Sequence, residues 1–378
     1  MSCLGIRMPY FCSRSYGQSR VPVNGRAHFP PRHLQSSVLC IVGNHYRFVV
    51  SGFKPLMVGD IEDLSPASDS DWASADGASL DVTTLASSVL NYEYKNGRRY
   101  HAYRSGAYLM PNDEEEQDRM DLLHHIYALI LDGELYMAPI KSHPERVLDL
   151  GTGTGIWAMD FADQYKSAEV LGNDLSPIQP SWIPPNLQFE IDDYEADWVY
   201  SRPFDYIHGR ELAGAVSNFD RLFRQGFKHL KPGGYLEMQS FRVEVYADDD
   251  SLDRAPYTTK MCSLIQEASA KFGKPMANMD EWADKMTKVG FEDVTCKIIK
   301  VPISPWPLDK KQKEIGKYFQ AQQMQGIQSY VPELLQDILK WGADEVEVLM
   351  AGARKELFDT TVHQYGKLYF VYGRKPAG

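Results

Sequence analysis

After about residue 90 the apolar residues fall into short branched runs separated by longer stretches of a different period. Runs at 147–150, 168–173, 187–191, 204–208 and 235–241 predict five strands. Helical spacing opens at Ile156 and returns over about 220–230, while 176–185 holds four prolines and is expected to form a rigid loop. Trp182 in that loop is placed either to flank a planar ligand or to fill an apolar gap. Ahead of the first strand, Met120, Leu123, Tyr127 and Ile130 recur at helical spacing. Asn112 is the expected cap of that helix, with Glu115 at the reciprocal position and Gly133 at its end. The later part of the chain predicts helices near 252–272 and 280–289, then strands at 290–302 and 365–372 that pair antiparallel at the sheet's end. Between those two strands, about 304–360 reads as a helical insertion, either a lid or a partner surface. The pattern as a whole is an α/β fold, a mostly parallel sheet with helices on both faces.

The first strand runs into Asp149-Leu150-Gly151-Thr152-Gly153-Thr154-Gly155 and then a helix, which is a strand, a tight turn and a helix N-terminus that binds something. The dinucleotide fingerprint G-x-G-x-x-G reserves its third glycine for a later position, so this spacing disfavours a nicotinamide-dependent reductase. Asp149 just ahead of the glycines suits a cationic amino group or a loop N–H better than a pyrophosphate. Those features favour S-adenosylmethionine as the cofactor, with Gly151, Gly153 and Gly155 allowing close approach. Asp174, ending the second strand, lies where α/β nucleotide folds accept both ribose hydroxyls, and Asp192 or Asp193, ending the third, is a candidate for an adenine amino group. The fourth strand's end places His208, Arg210 and Glu211 beside the reacting methyl, and His208 or Glu211 is the candidate to take a proton from a hydroxyl acceptor. No D/N-P-P-Y sequence follows, which argues against methylation of DNA bases.

Composition narrows the field. A formal charge of -11 argues against general nucleic-acid binding, and no apolar run reaches bilayer-spanning length. Five scattered cysteines without a C-x-x-C pair point to a reducing compartment, cytoplasm or nucleus, and to no metal site. The adjacent His124 and His125 point to different sides of a helix, so they are expected to be structural. Residues 1–59 carry six arginines and one lysine but no acid, and 60–81 then carry seven acids and no base. The arginine-bearing start has the composition of a mitochondrial transit peptide, but its prolines and glycines spoil the amphipathic helix that targeting needs. Residues 1–85 are therefore expected to be a tail. Residues 86–135 are expected to form an arm and cap helix, and 136–378 the catalytic domain. Within the arm, Tyr100, Tyr103 and Arg104 are candidates to cover a ligand or bind a carboxylate, against a plain packing role.

The chain resembles the LaeA-like class I methyltransferases of filamentous fungi. The residues that carry the resemblance are Tyr100-His101-Ala102-Tyr103, the acidic run from Pro111 into Gln117-Asp118-Arg119, the glycine turn, Asp174-Leu175-Ser176-Pro177-Ile178-Gln179-Pro180, and Leu230-Lys231-Pro232-Gly233-Gly234. The resemblance implies a seven-stranded Rossmann-like sheet, S-adenosylmethionine, and a role in secondary metabolism. That role takes one of two forms: transfer of a methyl group to a small-molecule acceptor, or nuclear regulation of gene clusters with velvet-family partners.

Overall fold

The computed structural model describes residues 37–42, 45–51, 92–95, 97–101, 103, 104, 106 and 108–378, and for 37–51 the backbone alone. Two hairpins come first, β1 (Ser37–Val42) with β2 (His45–Ser51) and β3 (Glu93–Lys95) with β4 (Arg98–Tyr100), followed by helix α1 (Glu114–Ile130). The doubly wound part runs β5 (Arg146–Leu150), α2 (Ile156–Gln164), β6 (Glu169–Asp174), β7 (Leu187–Ile191), β8 (Phe204–Arg210), α3 (Phe219–His229) and β9 (Leu230–Phe241). Helices α4 (Pro256–Phe272) and α5 (Trp282–Val289), strand β10 (Glu292–Pro302), helices α6 (Lys310–Pro332) and α7 (Ala343–Leu357), and strand β11 (Tyr365–Arg374) complete it.

Strands β7-β6-β5-β8-β9 are parallel in that order, and β11 enters antiparallel between β9 and β10. This is the seven-stranded sheet expected from the sequence. Its central strands are covered on both faces, which is why they read as unbroken apolar runs. Leu148, Leu150, Ile207 and Met238 pack toward α3 and α5 through Phe223 and Trp282. Val147, Val170 and Tyr206 face the other way, onto Trp157 and Phe161 of α2. Farther along that second face, Leu368 and Phe370 of β11 meet α1 and α6 through Ile126, Tyr127 and Phe319. Asp149 and His208 stand opposite each other in the β5–β8 register, so two polar side chains interrupt the sheet's apolar cover at one point.

Three expectations are corrected. The tail 1–85 contains a hairpin at 37–51, whose second strand adds antiparallel to the edge of β7, Phe48 opposite Ile191. Branched residues such as Val38, Ile41, Val49 and Val50 suit strand backbone, and β7 offered an open edge. The remainder of that tail, apart from this hairpin, lies outside the described residues. Second, α1 is capped by Asp113, which accepts from the Glu116 N–H at 3.1 Å, not by Asn112. Asn112 is buried instead and donates to Ser176 Oγ at 3.2 Å. Third, the strand expected at 235–241 begins at Leu230, so Pro232-Gly233-Gly234 lies within β9, with Gly233 at φ 78°.

Glu237 fastens the segment before β5 to the sheet. It is wholly buried on β9 and accepts from the Met137 and Ala138 N–H groups at 3.0 and 2.7 Å, Tyr206 Oη at 3.1 Å and Gln239 Nε2 at 2.8 Å. Replacing it strands several buried donors, each worth about 1 to 3 kcal/mol. Glu237→Ala is therefore expected to lower unfolding free energy by about 3 to 5 kcal/mol in urea titrations. Loss below about 1 kcal/mol contradicts the latch.

Candidate active site

The carboxyl ends of β5, β6, β7 and β8 open into a cleft roofed by the start of α1 and the arm before it. At its floor the glycine turn is fastened to the end of β6. Gly151 N donates to Asn173 Oδ1 at 3.2 Å, Thr152 N to the Asn173 carbonyl at 2.8 Å and Gly153 N to Asp174 Oδ2 at 2.9 Å. Asp174 accepts a second bond from Ser176 N at 2.9 Å. Burial pushes its pKa up to about 6 even though both N–H donors oppose the shift. The turn leaves no room for side chains. A Cβ on Gly155 would sit 2.3 Å from the Phe189 ring, and Gly155 also holds φ 82°.

Asp149 is consumed by the scaffold. Its Oδ2 accepts from Thr152 Oγ1 at 2.6 Å and its Oδ1 from His208 Nδ1 at 2.7 Å. His208 has no exposed surface, stacks on Trp157 at 3.7 Å between ring centroids, and leaves Nε2 buried without a partner. Burial lowers its pKa, so it is neutral with the proton on Nδ1 at pH 7. Beyond it, Arg210 spends all three nitrogens, Nε on Gln239 at 2.9 Å, Nη1 on His124 Nδ1 at 3.1 Å and Nη2 on the Leu135 carbonyl at 3.3 Å. His124 in turn donates from Nε2 to Asp160 at 2.9 Å, while His125 packs edge-on to Tyr318. Glu211 lies at the strand's end with φ 55°, a left-handed conformation that costs a glutamate energy. It accepts from Tyr127 Oη, Ser240 Oγ and the Phe241 N–H, yet burial still raises its pKa.

The model for the methyltransferase domain family matches residues 122–327, more than half of the chain. The chain belongs to that family. The methyltransferase is 40% identical over 309 residues to methyltransferase pytC of Aspergillus terreus, covering 80% of this chain and 94% of the relative. It is 36% identical over 289 residues to the secondary metabolism regulator LAE1 of Cochliobolus heterostrophus, covering 75% and 94%. It is 33% identical over 291 residues to the protein-methionine methyltransferase laeA of Emericella nidulans, covering 75% and 77%.

Among the residues expected from sequence, Asp149, Gly151, Gly153, Asp174, Asp193, His208, Arg210 and Glu211 of the methyltransferase line this one cleft. Gly155, Asp192, Tyr100, Tyr103 and Arg104 are not among its lining. Gly155 instead admits Phe189, and Asp192 accepts from the Asp193 N–H at 2.8 Å. Tyr100 donates to Glu333 at 3.2 Å, the Tyr103 carbonyl bonds His101 at 2.7 Å, and Arg104 pairs with Asp193 at 3.4 Å. Trp182 is 87% exposed and neither flanks the cleft nor fills a gap. The sequence reading missed Tyr108, Glu116, Arg119 and Tyr194 as lining, and Asn173 as the fastening of the turn. For α1 a signal existed. Glu116, Arg119, Met120 and Leu123 share one helical face, and two charges on an otherwise apolar stripe mark a site.

Because both Asp149 oxygens serve buried donors, Asp149→Ala is expected to cost the ligand-free protein about 2 to 4 kcal/mol in chemical denaturation. A side chain reserved for ligand would leave that stability unchanged.

Proposed function

We propose that the cleft binds S-adenosylmethionine and that the protein transfers its methyl group to a small-molecule acceptor in fungal secondary metabolism. One observation carries the cofactor reading. The N–H groups of Gly151, Thr152 and Gly153, which a dinucleotide loop would offer to a pyrophosphate, are already spent on Asn173 and Asp174. What the floor presents instead is acceptors, the remaining lone pairs of the Asp174 carboxylate and Asp193 at neighbouring strand ends, beside glycines that bring no side chain of their own. These suit the hydroxyls of a ribose and an exocyclic amine, so the residues fit the cofactor. Bound there, S-adenosylmethionine supplies an electrophilic methyl group on a sulfonium.

The chain's own task is placement and exclusion of water. Holding an acceptor in line is worth on the order of 7 to 11 kcal/mol, against roughly 3 to 5 kcal/mol from a positioned base. For a hydroxyl acceptor we assign the proton to Glu211, which lines the cleft and whose raised pKa makes it a stronger base than an ordinary carboxylate. His208 is enclosed by Trp157 and Asp149 and has no surface to offer an acceptor. The relative named as a protein-methionine methyltransferase favours a second reading, a regulator that methylates protein, with velvet-family proteins as candidate partners. Metabolite profiles of a deletion strain separate the two. One accumulating unmethylated compound supports the enzyme of a single pathway, whereas broad loss of unrelated metabolites with falling transcripts supports the regulator.

Isothermal titration tests the shared premise. Asp174→Ala is expected to weaken S-adenosylmethionine by about 10- to 100-fold, and equal affinity removes Asp174 from the ribose. The carboxylate form accepts the hydroxyls, so affinity rises with pH through about 6. Wild type at pH 5 is expected to bind about tenfold more weakly than at pH 7.5, and Asp174→Ala to lose that dependence. The stability of the ligand-free protein runs the opposite way. A carboxyl whose folded pKa is raised stabilises below its unfolded value and loses that contribution as pH climbs through about 6.

A further inference from the structure

The roof of the cleft holds a charge that neither the nucleoside nor the proton transfer uses. Arg119 on α1 donates from Nε to both oxygens of Glu116, at 3.0 and 2.9 Å, and from Nη2 to Oε1 at 2.7 Å. The Glu116 side chain is 2% exposed and that of Arg119 13%. Both line the cleft, and among the described residues Arg119 Nη1 has no hydrogen-bond partner. Arg210, the other arginine of the cleft, has every nitrogen engaged. A pair three residues apart on a helix adds far less than the desolvation of a guanidinium enclosed with one edge unmet. Arginine's planar fork is the side chain best matched to a carboxylate, and Glu116 fixes that fork by its Nε and Nη2 edge. Tyr108 of the arm, Tyr330 of α6 and Glu211 after β8 lie near enough to Arg119 to act on it electrostatically.

We propose that Arg119 is the carboxylate anchor of the cleft, oriented by Glu116 so that Nη1 donates to a carboxylate on a bound molecule. The assignment rests on the reading given under Proposed function, in which two molecules can bring that group, the amino-acid end of the cofactor or the acceptor.

The test uses the full chain as wild type, R119K and the double variant E116Q/R119M, which avoids stranding the Glu116 carboxylate. S-Adenosylhomocysteine and 5′-methylthioadenosine, which lacks the amino-acid end, are titrated calorimetrically. If the cofactor supplies the carboxylate, S-adenosylhomocysteine weakens at least about tenfold in the double variant and less in R119K. Methylthioadenosine then binds unchanged, which also shows the variant folded. If the acceptor supplies it, both nucleosides bind unchanged. Benzoate titrated into protein saturated with S-adenosylhomocysteine then binds wild type and not the double variant. Should the double variant lose methylthioadenosine too, R119K alone is read by the same criteria. Unchanged S-adenosylhomocysteine together with benzoate that fails to distinguish the proteins overturns the anchor. Wild type that binds neither nucleoside overturns the cofactor reading instead, and the benzoate arm on ligand-free protein then decides the anchor by itself.

Discussion

Three consecutive backbone N–H groups after β5 must find acceptors, and the end of β6 supplies all three. Asn173 takes those of Gly151 and Thr152 through its side chain and its carbonyl, and Asp174 takes that of Gly153. Buried N–H groups without partners are rare because each costs about as much as a lost hydrogen bond. The turn is thus held in left-handed geometry by its neighbour strand and not by any ligand. Asp149 completes the frame from the other side through Thr152 and His208. What remains open on this floor is acceptor oxygen, and that asymmetry decides which cofactor the cleft suits.

The strands were legible because they are covered on both faces, so a run such as Val147-Leu148-Asp149-Leu150 leaves little choice of period. The acids at their ends were legible too, since a carboxylate closing an apolar strand has few bland explanations. The roof was harder to read. Tyr100, Tyr103 and Tyr108 sit in one aromatic arm without periodicity, and nothing local says that only Tyr108 turns into the cleft. Its selection follows from tertiary fastening. Arg98 is bonded to Asp113 at 2.6 Å and Tyr100 to Glu333 at 3.2 Å, which leaves the later part of the arm over the opening. The Asn112 and Asp113 error has the same origin. Either residue can cap a helix, and only the burial of Asn112 against Ser176 chooses between them.

Several polar groups in the cleft are held at a cost. Glu211 keeps a left-handed backbone, Arg210 is half-buried without a carboxylate bonded to it, and His208 leaves a nitrogen unpaired. Such departures persist where surrounding packing overdetermines them, and here the surroundings are two continuous apolar layers, one on each face of the sheet. Arg210 is positioned through a relay, Asp160 to His124 to the guanidinium, and lies over the Tyr127 ring at 4.0 Å. The same Tyr127 donates to Glu211. Two groups at the end of β8 therefore share one aromatic support on α1, so a change in the seat of that helix moves both.

Floor and roof answer to different constraints. The floor is set by backbone hydrogen bonding, which any protein with this turn must satisfy in nearly the same way. The roof is the start of α1 and the arm before it, and that arm is tied to a distant part of the chain, the segment that follows α6. Contacts of Lys95 and Tyr100 with Glu333, and of Lys95 with Asp337, join them. Side chains there can change without disturbing the turn. In the function proposed above, acceptor choice is set by α1's inner face and the arm before it, and the glycine turn has no part in it.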